Sequence, residues 1–520
     1  MLQSHELIPM TDAERRVWEQ VIPVDHYLRR LATAVDFERF RPLLESSYAG
    51  DFGRPPLDVV VMLKLEVLER HYNLSDRGVM DSSALNIACR WFLGLSLTSP
   101  LPHNTSMTYF RTRVGASTMQ KVFDELVAQA RSLGLVKDRL RLKDATHIIA
   151  NIAVPSTLRL LAEVRQQLLE ALQPFAAERV AQEREHAEAL HRDTQDLKEE
   201  EQLVQRVTHL RAIVAWADVV PEQEAFAQHS SKAQEQLHSA LTLAHKVLAD
   251  RDGSGDKTVS AHDPDARTGK HGHFYTGYLF DMLVDADSAI ITAVNVLPAN
   301  GDEGADAALL LAQEQEAHGN KVDAVSIDGA GYRGDVLREL TDPAGLNVEV
   351  FVPPPERIPL PVFDASQFTL SDDGTTLTCP AGQTTTQWQP NRHDTGRRFR
   401  FAKKQCADCP LRSQCLPKPD AKSRQVMKND YEAEYAAAQA KARTAEHAKV
   451  RHEHPRVERK FAELVCRHDL RHARYRRRPR VLYQGLVTSM VVNMKRLVRL
   501  LCSATATAVG IVRAELEGIQ

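Results

Sequence analysis

Three acidic residues stand where a carboxylate could do chemistry. The stretch Val322-Asp-Ala-Val-Ser-Ile-Asp328-Gly-Ala-Gly-Tyr332 runs small and β-branched residues into one aspartate and then two glycines. That pattern predicts a buried strand delivering a carboxylate to a tight turn at its C-terminal edge, although an ordinary Asp-Gly turn is spelled the same way. In Leu140-Arg-Leu-Lys-Asp144-Ala-Thr-His-Ile-Ile149, apolar alternation marks a strand with Asp144 inside it. A carboxylate buried there needs a cation or a donor, unless it only caps the strand end by bonding Thr146 or Lys143. His454-Pro-Arg-Val-Glu458-Arg-Lys-Phe-Ala-Glu463-Leu-Val-Cys-Arg467 reads as a helix with Val457, Phe461, Leu464 and Val465 inward. At ~100° per residue, Glu458 falls on the edge of that stripe and Glu463 almost opposite it, on a solvated face.

Asp144, Asp328 and Glu458 are far apart in sequence but deliverable to one edge of a single sheet. Together they form an oxygen-only donor set of the kind Mg²⁺ or Mn²⁺ prefers. Two such ions ~3.5–4 Å apart activate a water or a 3′-hydroxyl and stabilise the leaving oxygen at a phosphodiester. No convincing Ser-His-Asp or Cys-His arrangement or phosphate-binding Gly-Lys loop offers another route.

Two further groups bear on metal and nucleic acid. Cys379, Cys406, Cys409 and Cys415, with a Cys-x-x-Cys core, suit a tetrahedral structural zinc that would hold a small segment lacking a core of its own; reduced, unliganded thiols are the alternative. Arg467, Arg471, Arg474, Tyr475, Arg476, Arg477 and Arg478 fall in the most basic run of the chain, which suits a surface that tracks phosphates and stacks a base, a solvated charge run being the alternative. Upstream, Arg111 and Arg113 lie on the last of several short capped helices, which suits either a helix-turn-helix-like DNA reader or an all-helical packing domain.

The elements that must position these groups follow from periodicity. Residues 1–130 read as a helical DNA-binding domain, 138–155 as the first part of a catalytic core, and 156–250 as an inserted bundle of long charged helices. Residues 251–360 add a hairpin and two strands that alternate with helices, 370–425 form the cysteine-rich segment, and 426–520 supply helices completing the core. The order is that of a mixed α/β fold with an insertion after its first strand. The 520 residues carry a formal net charge of -3, so a nucleic-acid surface has to be a local patch. The opening residues show no secretory pattern and no stretch is long and apolar enough to span a bilayer, which predicts a cytoplasmic protein.

The local wording resembles the DDE transposases of bacterial insertion sequences, in the subgroup with an N-terminal helical domain and a cysteine-bearing segment before the final glutamate. The motifs are Gly53-Arg-Pro-Pro, Leu74-Ser-Asp-Arg, Arg90-Trp-Phe-Leu-Gly-Leu, Asp144-Ala-Thr, Asp263-Pro-Asp-Ala-Arg, Pro298-Ala-Asn, Asp328-Gly-Ala-Gly-Tyr, Cys379-Pro-Ala-Gly, Cys406-Ala-Asp-Cys-Pro-Leu-Arg, Val457-Glu-Arg-Lys-Phe and Asn493-Met-Lys-Arg-Leu, in family order over nearly the whole chain. The resemblance implies a ribonuclease-H-like core with Asp144, Asp328 and Glu458 as its acidic triad. It also implies cleavage at terminal inverted repeats and strand transfer into target DNA by an oligomer on paired ends. A transposase-derived DNA-binding protein without turnover, or a metal-dependent nuclease without strand transfer, are the rivals. Two positions depart from the family: Val465 stands where a lysine is frequent, and Arg477 where a glycine is usual.

Overall fold

The computed structural model describes residues 7–48, 57–253, 256–356, 362–391, 395–416, 418 and 420–517. The Gly53–Pro56 motif lies outside them. Six strands form the main sheet: β1 Arg141–Ile149, β2 Arg267–His271, β3 His273–Asp285, β4 Ile291–Pro298, β5 Ala324–Ser326 and β6 Glu349–Phe351. β3 pairs antiparallel with β1 along one edge, and with β4 and then β2 along the other. β5 runs parallel to β1, and β6 parallel to β5. The order β4-β3-β1-β5-β6 is thus antiparallel on one side of β1 and parallel on the other.

Alternation splits the sheet into two apolar faces. Leu142, Ile148, Phe280 and Met282 belong to one buried cluster, while Leu283, Val325 and Ile327 belong to another. Helices Glu303–His318 and Gly334–Thr341 cover the second face, and Pro455–His468 and Arg478–Glu517 lie against the first. Local chemistry sets their ends. Asp302 accepts the Ala305 amide at the start of Glu303–His318, and Gly319, at φ +63°, closes it in the left-handed conformation that glycine adopts without a steric penalty.

The N-terminal helices have no separate core. Leu31, Phe40, Leu63 and Phe123 fall in the same buried cluster as the sheet and the C-terminal helix. The last of these helices is not short: Thr105–Ser132 spans 28 residues with a kink at Gly115. Between β1 and β2, helices Thr157–Leu172, Ala177–Thr194, Glu199–Asp218 and Ser231–Asp252 pack around their own apolar cluster, including Leu168, Leu210, Ile213 and Ala244. In the cysteine-bearing segment two three-stranded sheets enclose Phe368, Leu377, Phe399, Phe401 and Val426. Among the described residues no helix is long and apolar enough to cross a membrane.

Candidate active site

β1 and β5 are neighbours in parallel register, with Leu142 opposite Ser326. Asp144 lies two residues beyond Leu142, and Asp328 two beyond Ser326. Asp144 thus sits on β1 beside the end of β5, and Asp328, in the turn just past that end, is near enough for its charge to act on Asp144. Asp328 caps the short turn Gly329–Gly331 by accepting the Ala330 amide at 3.1 Å, and Asp144 accepts the Ala145 amide at 2.8 Å rather than a bond from Thr146 or Lys143. Burial, reinforced by the negative charge of Asp328, pushes the Asp144 carboxyl up to about 7.

Glu458 enters from the first turn of Pro455–His468, the helix that packs on β1. Val457 and Leu464 bury its inner stripe and Glu458 is exposed at the edge of it. Arg451, on the preceding helix Ala445–Glu453, donates to the Ile327 carbonyl at 2.8 Å and the Ser326 hydroxyl at 3.2 Å. Burial lowers its pKa, and Asp328, Glu458 and Asp144 all act against that shift, so one guanidinium lies within the field of all three acids. His454, buried and bonded to Ser326 Oγ at 3.0 Å, is held neutral, its pKa pushed down to about 4 by burial and by the charges of Arg451 and Lys143. On the opposite face Lys143 pairs with buried Asp281 at 2.9 Å. Sequence reading singled out neither Arg451 nor this pair; the sheet brings their partners from more than 100 residues away.

The three carboxylates suit a divalent ion by donor type and by charge. An acid raised by burial beside another acid is a group that a cation would return to its anionic form. Among the described residues, the only three His, Cys, Asp or Glu donor atoms lying within 4.8 Å of one another belong to Glu183, His186 and His209. The acidic triad is therefore wider than a single ion's ligand sphere. A pair of ions ~3.5–4 Å apart would occupy a wider site than one ion does.

Several expectations change. Glu463 is half-buried, not solvated: Lys495 of the C-terminal helix pairs with it at 2.7 Å. Arg111 is sunk among Glu66 at 2.6 Å, Asp76 at 2.8 Å and Glu69, which hold its charge within the fold. Arg474 spends its charge on the same Glu69, at 2.8 Å, and Arg471 donates to the His147 carbonyl at 2.6 Å. Tyr475 stacks beneath Arg111, 5.5 Å from its guanidinium, in a half-buried position. Arg113, Arg467, Arg476, Arg477 and Arg478 are exposed. Arg477, where the family has glycine, takes φ +72°, the left-handed backbone that glycine tolerates and other residues resist. A basic groove also escaped sequence reading: Arg456, Arg459, Lys460, Arg496 and Arg499 line a cavity of about 480 Å³ between the Glu458 helix and the C-terminal helix. Its signal was two runs of cations 40 residues apart, legible only once the two helices are paired.

Cys379, Cys406, Cys409 and Cys415 line one cleft with Phe368, Phe401 and Arg424. Burial raises the Cys415 thiol, and the neighbouring Cys406, Cys379 and Cys409 add to it, with Arg424 opposing. The four thiols therefore sense one another without closing into one ligand sphere.

Two family models match the chain. Residues 16–113 match a transposase domain (DUF772), and residues 378–498 match a transposase DDE domain. The second spans the cysteines and Glu458, and begins after Asp144 and Asp328. No solved structure matches the chain.

Proposed function

From a chain that belongs to the DDE transposases of insertion sequences, we propose a terminal-repeat-binding enzyme that cuts DNA and transfers the strand to a target through Asp144, Asp328 and Glu458. The parallel β1–β5 register that brings Asp144 near Asp328 is the observation that carries this reading. A ribonuclease-H-like core is supported by the order β4-β3-β1-β5-β6 with its antiparallel and parallel halves.

In this reading Asp144, Asp328 and Glu458 hold two Mg²⁺ or Mn²⁺ ions. When bound, such ions supply an activated water or 3′-hydroxyl and charge stabilisation at the phosphodiester. The chain's own part is positional. β1 and β5 fix the two aspartates, the first turn of Pro455–His468 delivers Glu458, and Arg451 places a fixed positive charge beside the three acids from its anchors on Ile327 and Ser326. Neutral His454 leaves that charge balance undisturbed and ties the Glu458 helix to β5.

DNA runs over the exposed cations Arg113, Arg467, Arg476, Arg477 and Arg478, with the Arg459 and Arg499 groove extending the surface. Phosphate contacts of this kind position the duplex without reading its sequence. The division at residues 130, 156, 250 and 370 serves this reading as end binding, insertion, core and cysteine segment. Zinc at Cys379, Cys406, Cys409 and Cys415 would stiffen the segment ahead of Glu458. The protein acts in the cytoplasm as a homo-oligomer on paired element ends.

Purified protein, labelled duplexes carrying the element's ends, and Mg²⁺ test this directly, with Asp328→Asn as control. Cleavage and joining that vanish in the variant while end binding persists are the expected result. Binding without cutting in the wild type leaves only a DNA-binding derivative, and cutting without joining leaves a nuclease.

A further inference from the structure

The inserted bundle carries a cluster that the DNA chemistry does not use. Glu183 and His186 are one turn apart on Ala177–Thr194, and His209 faces them from Glu199–Asp218. Glu183 Oε2 lies 3.1 Å from His209 Nε2 and 3.7 Å from His186 Nδ1. Ligands around a tetrahedral ion with bonds of ~2.0–2.1 Å stand roughly 3.3 Å apart, so the two distances bracket that edge. The Glu-x-x-His spacing is the one by which helical bundles present a carboxylate and an imidazole to a common ion.

Two more observations point the same way. The His186 and His209 rings approach to 4.3 Å between centroids at 45°, a geometry that leaves both nitrogens turned toward the carboxylate without stacking the rings flat. The far nitrogen of His209, Nδ1, is buried without a hydrogen-bond partner in a side chain only 3% exposed, so the ring is held by packing and by what it meets at Nε2.

We propose that Glu183, His186 and His209 form a three-ligand site for a zinc-class transition ion, which pins the second and third helices of the insertion together. Imidazole and carboxylate donors select Zn²⁺, Co²⁺ or Ni²⁺ over the Mg²⁺ suited to an all-oxygen site. The fourth position opens to solvent beside His186, whose side chain is 62% exposed. An ordinary His209–Glu183 hydrogen bond is the plainer account, and it gives His186 no role.

The test uses the untagged full-length protein, stripped of metal and held in excess Mg²⁺, titrated with Co²⁺. Cobalt on the cysteines reports itself by thiolate-to-metal charge transfer in the near ultraviolet; cobalt on His and Glu shows visible ligand-field absorption without that band. The expected result is one thiolate-free equivalent in the parent whose affinity falls at least tenfold in both His186→Ala and Glu183→Gln, with melting curves of the metal-free proteins unchanged. Equal binding in parent and variants, or bound cobalt that always carries the thiolate band, overturns the site. Glu183→Gln retains a hydrogen-bonding partner for His209, so its loss of cobalt separates coordination from packing.

Discussion

Asp144 on β1 and Asp328, in the turn that follows β5, each stand two residues beyond the register pair Leu142 and Ser326, and the charge of Asp328 acts on Asp144. Strands in a sheet are ~4.8 Å apart, so the negative charge of Asp328 adds to burial in raising the cost of ionising Asp144.

That relationship sets a pH dependence. The Asp144 carboxyl moves from an ordinary 3.8 to about 7 on folding, so the folded chain holds this proton more tightly than the unfolded one. Stability tied to the proton is complete below pH 3.8, declines as pH rises, and is gone once pH passes 7. In chelated protein the wild type should lose about 2 kcal/mol more than Asp144→Asn between pH 5 and pH 8, the full shift being discounted for partial exposure. Denaturant titrations of both proteins at the two pH values measure it. Saturating Mg²⁺ should remove most of the difference at pH 8, and parallel curves without metal would contradict the assignment of the shift to Asp144.

Arg111 and Arg113, both on Thr105–Ser132, should behave oppositely. Arg111 neutralises Glu66 and Glu69, both 2% exposed, and the Glu66 carboxyl is already pushed up to about 7 by burial against the pull of Arg111. Arg111→Ala leaves buried acids without their cation and should cost about 3–5 kcal/mol. Arg113→Ala, at an exposed position beside the Tyr48 ring, should stay within about 0.5 kcal/mol while weakening DNA binding at low salt. Thermal melts and a salt series of duplex binding separate the two. An Arg111→Ala protein of full stability with lost DNA affinity would return Arg111 to the DNA surface.

Why the partners of Arg111 were not legible in the sequence, while the strands and turn around Asp144 and Asp328 were, is a matter of range. Asp144 and Asp328 announce themselves locally, through alternation, a strand and a glycine turn, and the sheet only has to align them. Arg111 depends on Glu66 and Glu69, which sit in a helix that reads as an apolar run from Val59 to Leu68 and turns out to be buried on nearly every side. Glu463 was assigned to solvent from the stripe of its own helix; Lys495, on a helix packing from the other side, is invisible to that reasoning. Capping and period give elements, but the sink for a charge is set by tertiary pairing. Arg477 is the reverse case: its departure from glycine was legible in the sequence, and the left-handed backbone there shows why glycine suits the position.

Metal removal gives a third expectation. Four thiols facing one cleft, with Cys415 raised by burial and by the other three, are relieved when a zinc ion draws them to thiolates. Stripping the protein with a zinc chelator should lower its melting temperature and open residues 370–425 to limited proteolysis, and Zn²⁺ but not Mg²⁺ should reverse both. Cys406→Ser should resemble the stripped wild type. Identical proteolysis patterns before and after chelation would assign these cysteines to reduced, unliganded packing.

Arg451 provides a fourth expectation. Its guanidinium is fixed by the Ile327 carbonyl and Ser326 hydroxyl and lies in the field of Asp144, Asp328 and Glu458. A fixed positive charge favours an anionic carboxylate yet repels a divalent ion, and at pH 8, above the pKa of Asp144, the repulsion dominates what is measured. Arg451→Ala should therefore bind Mg²⁺ several-fold more tightly at pH 8, while at pH 6, where Asp144 is largely protonated in either protein, the gain should shrink. Calorimetric Mg²⁺ titrations at the two pH values, with Arg451→Lys as a charge-conserving control close to wild type, read the difference. Equal Mg²⁺ affinity for Arg451→Ala and wild type at both pH values would mean that the ions sit beyond the reach of this guanidinium, and that the three acids do not surround them as a set.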